Sequence, residues 1–204
     1  WTMQVGDYTI HDSHQHGLQR LTLGDVIAES SNIGIVQVAN RVGSPAMASY
    51  LSRFGLGRQT GVGFPGEAAG IMLPLYEWND TSLATMAYGQ GIAATPLQMA
   101  SVFATIANDG RWVQPRLVKG ALDPEGIFRA APAPTIRRVI STESAEMLTR
   151  MLAYAVEHGT GTSAGVSEFQ VAGKTGTARI AAKDHVGYLE GQYMASFIGY
   201  LPAG

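Results

Sequence analysis

The chain has 204 residues, 46% of them apolar and 15% charged, with 25 Gly, 9 Pro and no Cys, and fourteen Lys and Arg against sixteen Asp and Glu leave a net charge of −2. This balance excludes a disordered tail and a disulfide-stapled miniprotein; a chain this long buries roughly 70% of its unfolded surface, so one domain with its own core is expected. No basic run is long enough to track a phosphate backbone, so nucleic acid is not an expected partner.

The first residue is Trp1, and residues 2–19 are polar, His-rich and aperiodic, as an interior piece of a longer protein looks; the expectation is that the start is a cut. A helical pattern begins at Leu21, with Leu23, Val26 and Ile27 on one face, and the polar triplet Ser30-Ser31-Asn32 breaks it. A second apolar helix is predicted over residues 33–42. Ser44 and Pro45 supply an N-cap and a first-turn proline for a third helix through Phe54, where Gly55 can take the left-handed exit conformation. Residues 55–70 read as loop. Thr95 and Pro96 repeat the capping device. The helix after them sets Met99, Val102, Phe103 and Ile106 on one stripe, which predicts a buried core helix ending at Asn108-Asp109-Gly110. Residues 112–118 read as a strand and residues 123–134 as a loop. Ser141 caps another helix, with Glu143 and Glu146 near its positive end and Met147, Leu148, Met151, Leu152 and Ala155 facing inward, and His158-Gly159 stops it. Two further strands, 169–179 and 193–201, are joined by residues 181–192, long enough for an antiparallel return. Helices dominate until the end, where strands cluster, so the fold class is α+β, a helical region packed on an antiparallel sheet. No internal repeat is visible.

Several motifs match in letters but lack their context. Gly61-Val62-Gly63-Phe64-Pro65-Gly66 satisfies GxGxxG, yet a dinucleotide loop needs a strand before it and a helix opening through it, and Pro65 obstructs that helix; a turn is preferred. Gly173-Lys174-Thr175 resembles the end of a phosphate-binding loop, but Glu168 stands where the first glycine belongs, and a carboxylate there repels phosphate. Gly161-Thr162-Ser163-Ala164-Gly165 matches the GxSxG elbow, but a helix precedes it where a strand is required. The Asp and His that follow, Asp184 and His185, are adjacent and do not easily supply a separated acid and base. His11, Asp12, His14 and His16 cluster, and alternating imidazoles on a strand bind zinc when a third ligand comes from elsewhere; a solvated loop is preferred and no metal site is expected.

Lys174-Thr175-Gly176-Thr177 carries more information. With 3 Lys, 15 Thr and 25 Gly in the chain, Lys-Thr-Gly arises by chance about 0.03 times. It lies in a strand-like segment, where period two puts Lys174 and Gly176 on one face and Thr175 and Thr177 on the other, and Gly176 permits close backbone approach by a ligand. Ser30-x-Asn32 is weaker alone: 13 Ser and 4 Asn give about 0.25 chance occurrences, and a helix-breaking cap explains it equally well. Both motifs in this order mean more than either.

At this point the sequence resembles the penicillin-binding transpeptidases, specifically the monofunctional class B enzymes of bacterial cell-wall synthesis, whose motifs are SxxK, an SxN-type triplet and KTG. The resemblance runs through most of the chain. It includes Ser30-Ser31-Asn32-Ile33-Gly34, Phe54-Gly55-Leu56-Gly57, Phe64-Pro65-Gly66-Glu67, Tyr88-Gly89-Gln90-Gly91, Thr95-Pro96-Leu97-Gln98-Met99-Ala100, Gly159-Thr160-Gly161-Thr162, Ala172 to Ala178 and Phe197-Ile198-Gly199, and it is closest to division-type members. It implies the transpeptidase fold shared with serine β-lactamases, and acyl transfer in which a serine attacks a D-Ala-D-Ala carbonyl, D-Ala leaves and a neighbouring stem's amine resolves the acyl-enzyme. By the family's pattern, Ser30 takes part in relaying a proton to the leaving amine. Asn32 hydrogen-bonds the substrate amide and the catalytic lysine, and Lys174 supports the relay and draws in the terminal carboxylate. Thr175, Gly176 and Thr177 form the substrate-binding strand: the two hydroxyls bond that carboxylate, and the Thr177 N–H joins the nucleophile's in an oxyanion hole.

One motif is missing. SxxK needs Ser three residues before Lys, and those positions before Lys119, Lys174 and Lys183 hold Arg116, Val171 and Ile180. In the family that serine lies upstream of SxN, so residues 1–204 read as the C-terminal part of a transpeptidase domain. A truncated chain is preferred over a cleaved upstream half or a pseudoenzyme. Other readings are a non-catalytic β-lactam sensor or cell-wall scaffold, and a D,D-carboxypeptidase or serine β-lactamase, against which the class B segments weigh. The resemblance implies no cofactor. It implies stem peptides, β-lactams, a septal glycosyltransferase and division proteins as partners, and an extracytoplasmic location. No stretch reaches about 18 consecutive apolar residues and no signal peptide is recognisable, so any anchor lies outside this sequence. The lack of cysteine fits every compartment equally.

Overall fold

The computed structural model of the chain describes residues 1–79, 81–182, 184 and 187–203; Lys183 and His185 of the motif readings lie outside them. A hairpin of β1 (Thr2–Val5) and β2 (Tyr8–His11) opens the chain, followed by α1 (Leu23–Ala28), α2 (Asn32–Val42), α3 (Ser44–Phe54), α4 (Ser82–Ala87) and α5 (Pro96–Ala107). Short strands β3 (Arg111–Val113), β4 (Gly120–Leu122), β5 (Phe128–Ala130) and β6 (Ile136–Arg138) lead into α6 (Thr142–His158), and the long strands β7 (Ala172–Ala181) and β8 (Tyr188–Tyr200) follow. The pairs β1–β2, β3–β6, β4–β5 and β7–β8 are all antiparallel, as the α+β reading requires.

Local chemistry sets most helix ends. Thr22 and Asp25 close a capping box on α1, and Thr95 and Gln98 do the same on α5, where Pro96 opens the first turn. The Ser141 hydroxyl accepts from Ser144 N to start α6. α3 departs from expectation: Gly43, at φ +82, takes the N-cap position and Ser44 is already helical, so no side chain caps this helix. Gly55 does take the left-handed exit, at φ +94.

The core lies where α5 and α6 meet β7 and β8. Phe103, Ile106, Leu152, Ala153 and Ala172 are buried together, with Met99, Val102, Leu148, Ile198 and Tyr200 packed around them. Each large apolar side chain there contributes roughly 1.5–3 kcal/mol by leaving water. Met147 is a correction, being 47% exposed. It precedes Leu148 by one residue, so the helix turns it about 100° out of the Leu148–Leu152 stripe. A second cluster, Ile10, Val36 and Ala84 with Met3, Val5 and Ile33 beside it, seats the hairpin on α2 and α4.

The hairpin is the largest departure from the sequence reading. Residues 2–19 look aperiodic because only Met3, Val5 and Ile10 turn inward, yet Val5 pairs with Tyr8 across a two-residue turn in which Gly6 has φ +56. The strand expected over 112–118 ends at Val113, and Pro115, which has no N–H to donate, falls just beyond. The loop expected over 123–134 contains β5, because Asp123 accepts from Ile127 N and from the Arg129 guanidinium and so folds the turn between β4 and β5. The return over 181–192 is shorter than expected, since β8 begins at Tyr188.

Candidate active site

Backbone chemistry at the end of α1 fixes Ser30. Ser30 N bonds Ile27 O at 3.3 Å and Ser31 N bonds Val26 O at 3.0 Å, a double closure in which the residue after the cap must be left-handed. Ser30 fills that place at φ +57. A non-glycine side chain there costs about 1–2 kcal/mol, and such strain is characteristic of functional positions. Ser31 then caps α2: its Oγ accepts from Gly34 N at 2.9 Å and donates to Asp12 Oδ2 at 3.1 Å.

Asp12, 8% exposed, organises this turn. It accepts from the Ser31 hydroxyl, from Ile33 N at 3.1 Å and from His16 Nε2 at 3.0 Å. Burial alone raises its carboxyl, but the bonds from His16, Ile33, Ser31 and the Asn32 backbone outweigh burial and hold it below the usual carboxylate value. Asn32 Nδ2 donates to His11 O at 2.8 Å, which ties the turn to β2 and leaves Oδ1 without a partner among the described residues.

Lys174 reaches this turn from β7. Its Nζ donates to Ser30 Oγ at 2.9 Å and to the Thr175 carbonyl at 3.1 Å, and Thr175 Oγ1 lies 3.4 Å away. The long side chain thus folds back over its own strand, bringing together residues that the pleat sends to opposite faces. Burial pushes the Lys174 amine below its ordinary value.

Two further residues join the turn to β7. Gly159 crosses the end of α1 so closely that a Cβ would collide with the Ala28 carbonyl. Next to it, Thr160 N bonds Ala28 O at 3.0 Å and Thr160 Oγ1 lies 2.8 Å from Thr175 Oγ1. Gln90 bonds both Arg179 O and Arg179 N, 3.2 and 3.4 Å, and so holds the far end of the same strand. Gly176 has a different reason from the one its position suggests: a Cβ would stand 2.7 Å from Ser196 Oγ on β8. Thr177 is exposed and its hydroxyl is free among the described residues.

The structure therefore brings Ser30, Lys174 and Thr175 together and places Asn32 two residues from Ser30, with its amide nitrogen bonded to β2. Thr160 was visible in the Gly159 to Thr162 segment, though not its bond to Thr175. Asp12 departs from the solvated loop that the sequence favours: it is buried, and its bonds make it an anchor for the turn. His16 uses Nε2 on Asp12 and Nδ1 on Gly17 O, and among the described residues no group of three His, Cys, Asp or Glu could hold a metal. Chemically, a half-buried ammonium meets the hydroxyls of Ser30 and Thr175, and Asn32, two residues along the chain, keeps an unfilled amide oxygen. They can exchange a proton with a leaving group and bind a peptide's carboxylate end.

Comparison with known proteins places the whole chain in one family. The family model described as the penicillin binding protein transpeptidase domain matches residues 1–204. Penicillin-binding protein PbpB of Mycobacterium tuberculosis is 38% identical over 209 residues, covering 99% of this chain and 31% of that protein. Peptidoglycan D,D-transpeptidase FtsI of Escherichia coli is 33% identical over 180 residues, covering 88% and 28%. The crystal structure of penicillin binding protein 3 from Mycobacterium tuberculosis complexed with ampicillin matches with a TM-score of 0.96 at 38% identity, over 99% of this chain and 46% of that one. The chain spans about a third of the length of the curated relatives it matches.

Proposed function

The chain belongs to the penicillin-binding protein transpeptidase domain family, and from that premise we propose that the protein carrying it is a peptidoglycan D,D-transpeptidase that cross-links stem peptides through a serine acyl-enzyme. The observation that carries this reading is the 2.9 Å bond between Lys174 Nζ and Ser30 Oγ, which joins the two motifs into one proton path. The nucleophilic serine is not among these 204 residues, since no Ser stands three places before a Lys.

In the proposed reaction the serine oxygen bonds to the penultimate D-Ala carbonyl carbon as its hydroxyl proton passes to the lysine of the SxxK segment, the C–N bond to the terminal D-Ala breaks, and that proton is handed on to the departing amine. Ser30 passes that proton along, and the Lys174 ammonium, hydrogen-bonded to Ser30 Oγ, supports the relay while keeping its own charge. An amine of a second stem then attacks the ester carbonyl, the ester C–O bond breaks, and the proton lost by that amine returns by the same relay to the serine oxygen. Asn32 Oδ1 accepts the substrate's amide N–H. The Lys174 ammonium and the Thr175 and Thr177 hydroxyls receive the terminal carboxylate, and the Thr177 N–H helps to stabilise the oxyanion.

A β-lactam presents the same carbonyl and carboxylate, and the relative bound to ampicillin supports that likeness. A substrate outside the cytoplasmic membrane implies an extracytoplasmic site, with a septal glycosyltransferase and division proteins as partners. Among the described residues no helix is long and apolar enough to cross a membrane.

Acylation of the full-length protein by a fluorescent penicillin tests the reading. Lys174→Met is expected to slow acylation at least about 100-fold, the scale of a lost general acid–base group. Unchanged acylation would remove Lys174 from the reaction.

A further inference from the structure

The exit of α3, the start of the following loop, α5, β3 and β6 enclose a cleft of about 330 Å³, whose lining shares no residue with the Ser30–Lys174 site. Its lining includes Arg58, Ser101, Trp112, Thr135 and Arg137. Neither arginine forms an ion pair among the described residues. Each spends one Nη2 on a main-chain carbonyl, Arg58 on Ser52 O and Arg137 on Arg53 O, both at 2.9 Å. Arg137 lies over the Trp112 ring at 3.6 Å, a stacking that fixes its guanidinium. The like charge of Arg58, after burial, lowers the proton affinity of Arg137, so the two cations feel each other.

Two buried donors open on the same space. Trp112 is 6% exposed and Ser101 is 7% exposed, yet neither the Trp112 indole N–H nor the Ser101 hydroxyl has an acceptor among the described residues. Both retain some accessible surface, since no fully buried side-chain nitrogen or oxygen is unsatisfied. A Cβ at Gly55 would stand 3.6 Å from both Trp112 Nε1 and Arg137 Nη2, so these nitrogens converge at one wall. Most neighbouring acceptors are already taken, Gln59 Oε1 excepted: Gln98 Oε1 receives Thr95 N, Gln114 Oε1 receives Thr135 N, and Glu67 is held by Thr60 and Gly61. The cleft is thus rich in unanswered donors and carries two positive charges, and the group that answers such a surface accepts several hydrogen bonds and is negatively charged.

We propose that this cleft is a binding site for a small oxyanion, a phosphate or carboxylate group, held between Arg58 and Arg137 with the Trp112 indole N–H and the Ser101 hydroxyl completing its shell. The site owes nothing to the acyl-transfer chemistry and would exist without it. Stacking on Trp112 pre-orients one guanidinium, which lowers the entropy lost when the anion docks.

The test labels the full-length protein with 5-fluorotryptophan, assigns the Trp112 fluorine signal by its loss in Trp112→Phe, and titrates sodium phosphate, sodium acetate and sodium chloride at constant ionic strength. The expected result is a saturable shift of the Trp112 signal alone with phosphate, weaker with singly charged acetate, and none with chloride. Acetate binding more tightly would assign the site to carboxylates. Arg137→Gln is expected to weaken phosphate binding at least about tenfold, the scale of a lost charged hydrogen bond. Arg58→Gln and Ser101→Ala, which leave the Trp112 stack intact, give smaller losses and cover a failure of the first variant to fold. No saturable shift, an equal response to chloride, or unaltered binding in both Arg58→Gln and Ser101→Ala would overturn the proposal.

Discussion

At the scale of single residues, the site depends on groups placed at a cost. Ser30 occupies the left-handed region at φ +57 and supplies the hydroxyl that Lys174 binds. Ser30→Gly removes the strain and the hydroxyl together, so it is expected to stabilise the fold by about 0.5–1 kcal/mol in urea unfolding while depressing acylation of the full-length protein. A variant that is both less active and less stable would show that the turn is not strained. Asp12 pulls the other way, because its folded carboxyl is held below the ordinary value. The unfolded chain therefore takes up its proton first on acidification: the stabilisation is complete above about pH 4 and fades as pH drops through the lower folded pKa. Asp12→Asn is expected to cost about 1–3 kcal/mol at pH 7, the penalty for disturbing buried donors, with the gap to the parent narrowing in thermal melts as the pH falls through the lowered folded value. Lys174 slopes the same way, in the alkaline range and for a different reason. Its folded amine is lowered by burial, so between that value and about 10.4 the unfolded chain holds more protons, and this residue's contribution makes stability rise with pH. In Lys174→Met that alkaline slope should be absent.

Among elements, the crossing of α1 and α6 holds the motifs in register. Gly159 lies against the Ala28 carbonyl, and Thr160 N bonds the same oxygen while its hydroxyl meets Thr175. Gly159→Ala forces backbone from backbone, since no flexible side chain is there to yield, and is expected to destabilise by about 1–3 kcal/mol. Because the shift moves Thr160 away from β7, acylation in the full-length protein should fall as well; a melt and rate equal to the parent's would refute the role of this crossing. These elements also show what a sequence can disclose. α5 and α6 were legible because apolar spacings of three and four residues repeat over several turns between capping signals, and β7 because the Lys-Thr-Gly run is rare. α4 has six residues, too few to display a period, and the β1–β2 hairpin buries only three side chains, so its alternation is lost among polar neighbours. At the site, Ser30 and Lys174 were legible as motif letters. The roles of Asp12 and Thr160 were not, since each acts through a bond to a residue 19 or 15 positions away, which no local pattern encodes.

For the whole molecule, the question is whether the Ser30–Lys174 pair can act as a nucleophile by itself. A hydroxyl 2.9 Å from a lysine amine of lowered proton affinity resembles an activated serine. Two features argue against it. The lysine is oriented as a donor to Ser30 Oγ and is also bound to the Thr175 carbonyl, so its proton, not a free lone pair, faces the hydroxyl. The family's nucleophile belongs to an SxxK segment that these residues do not contain. The 204-residue chain is therefore expected to form no adduct with benzylpenicillin by intact-mass spectrometry, under conditions where a cooperative melt shows it folded. On the proposed function, the full-length protein is expected to gain one penicilloyl group. An adduct on the isolated chain, mapped by digestion to Ser30, would instead make this pair self-sufficient and would relocate the acyl-enzyme to the end of α1.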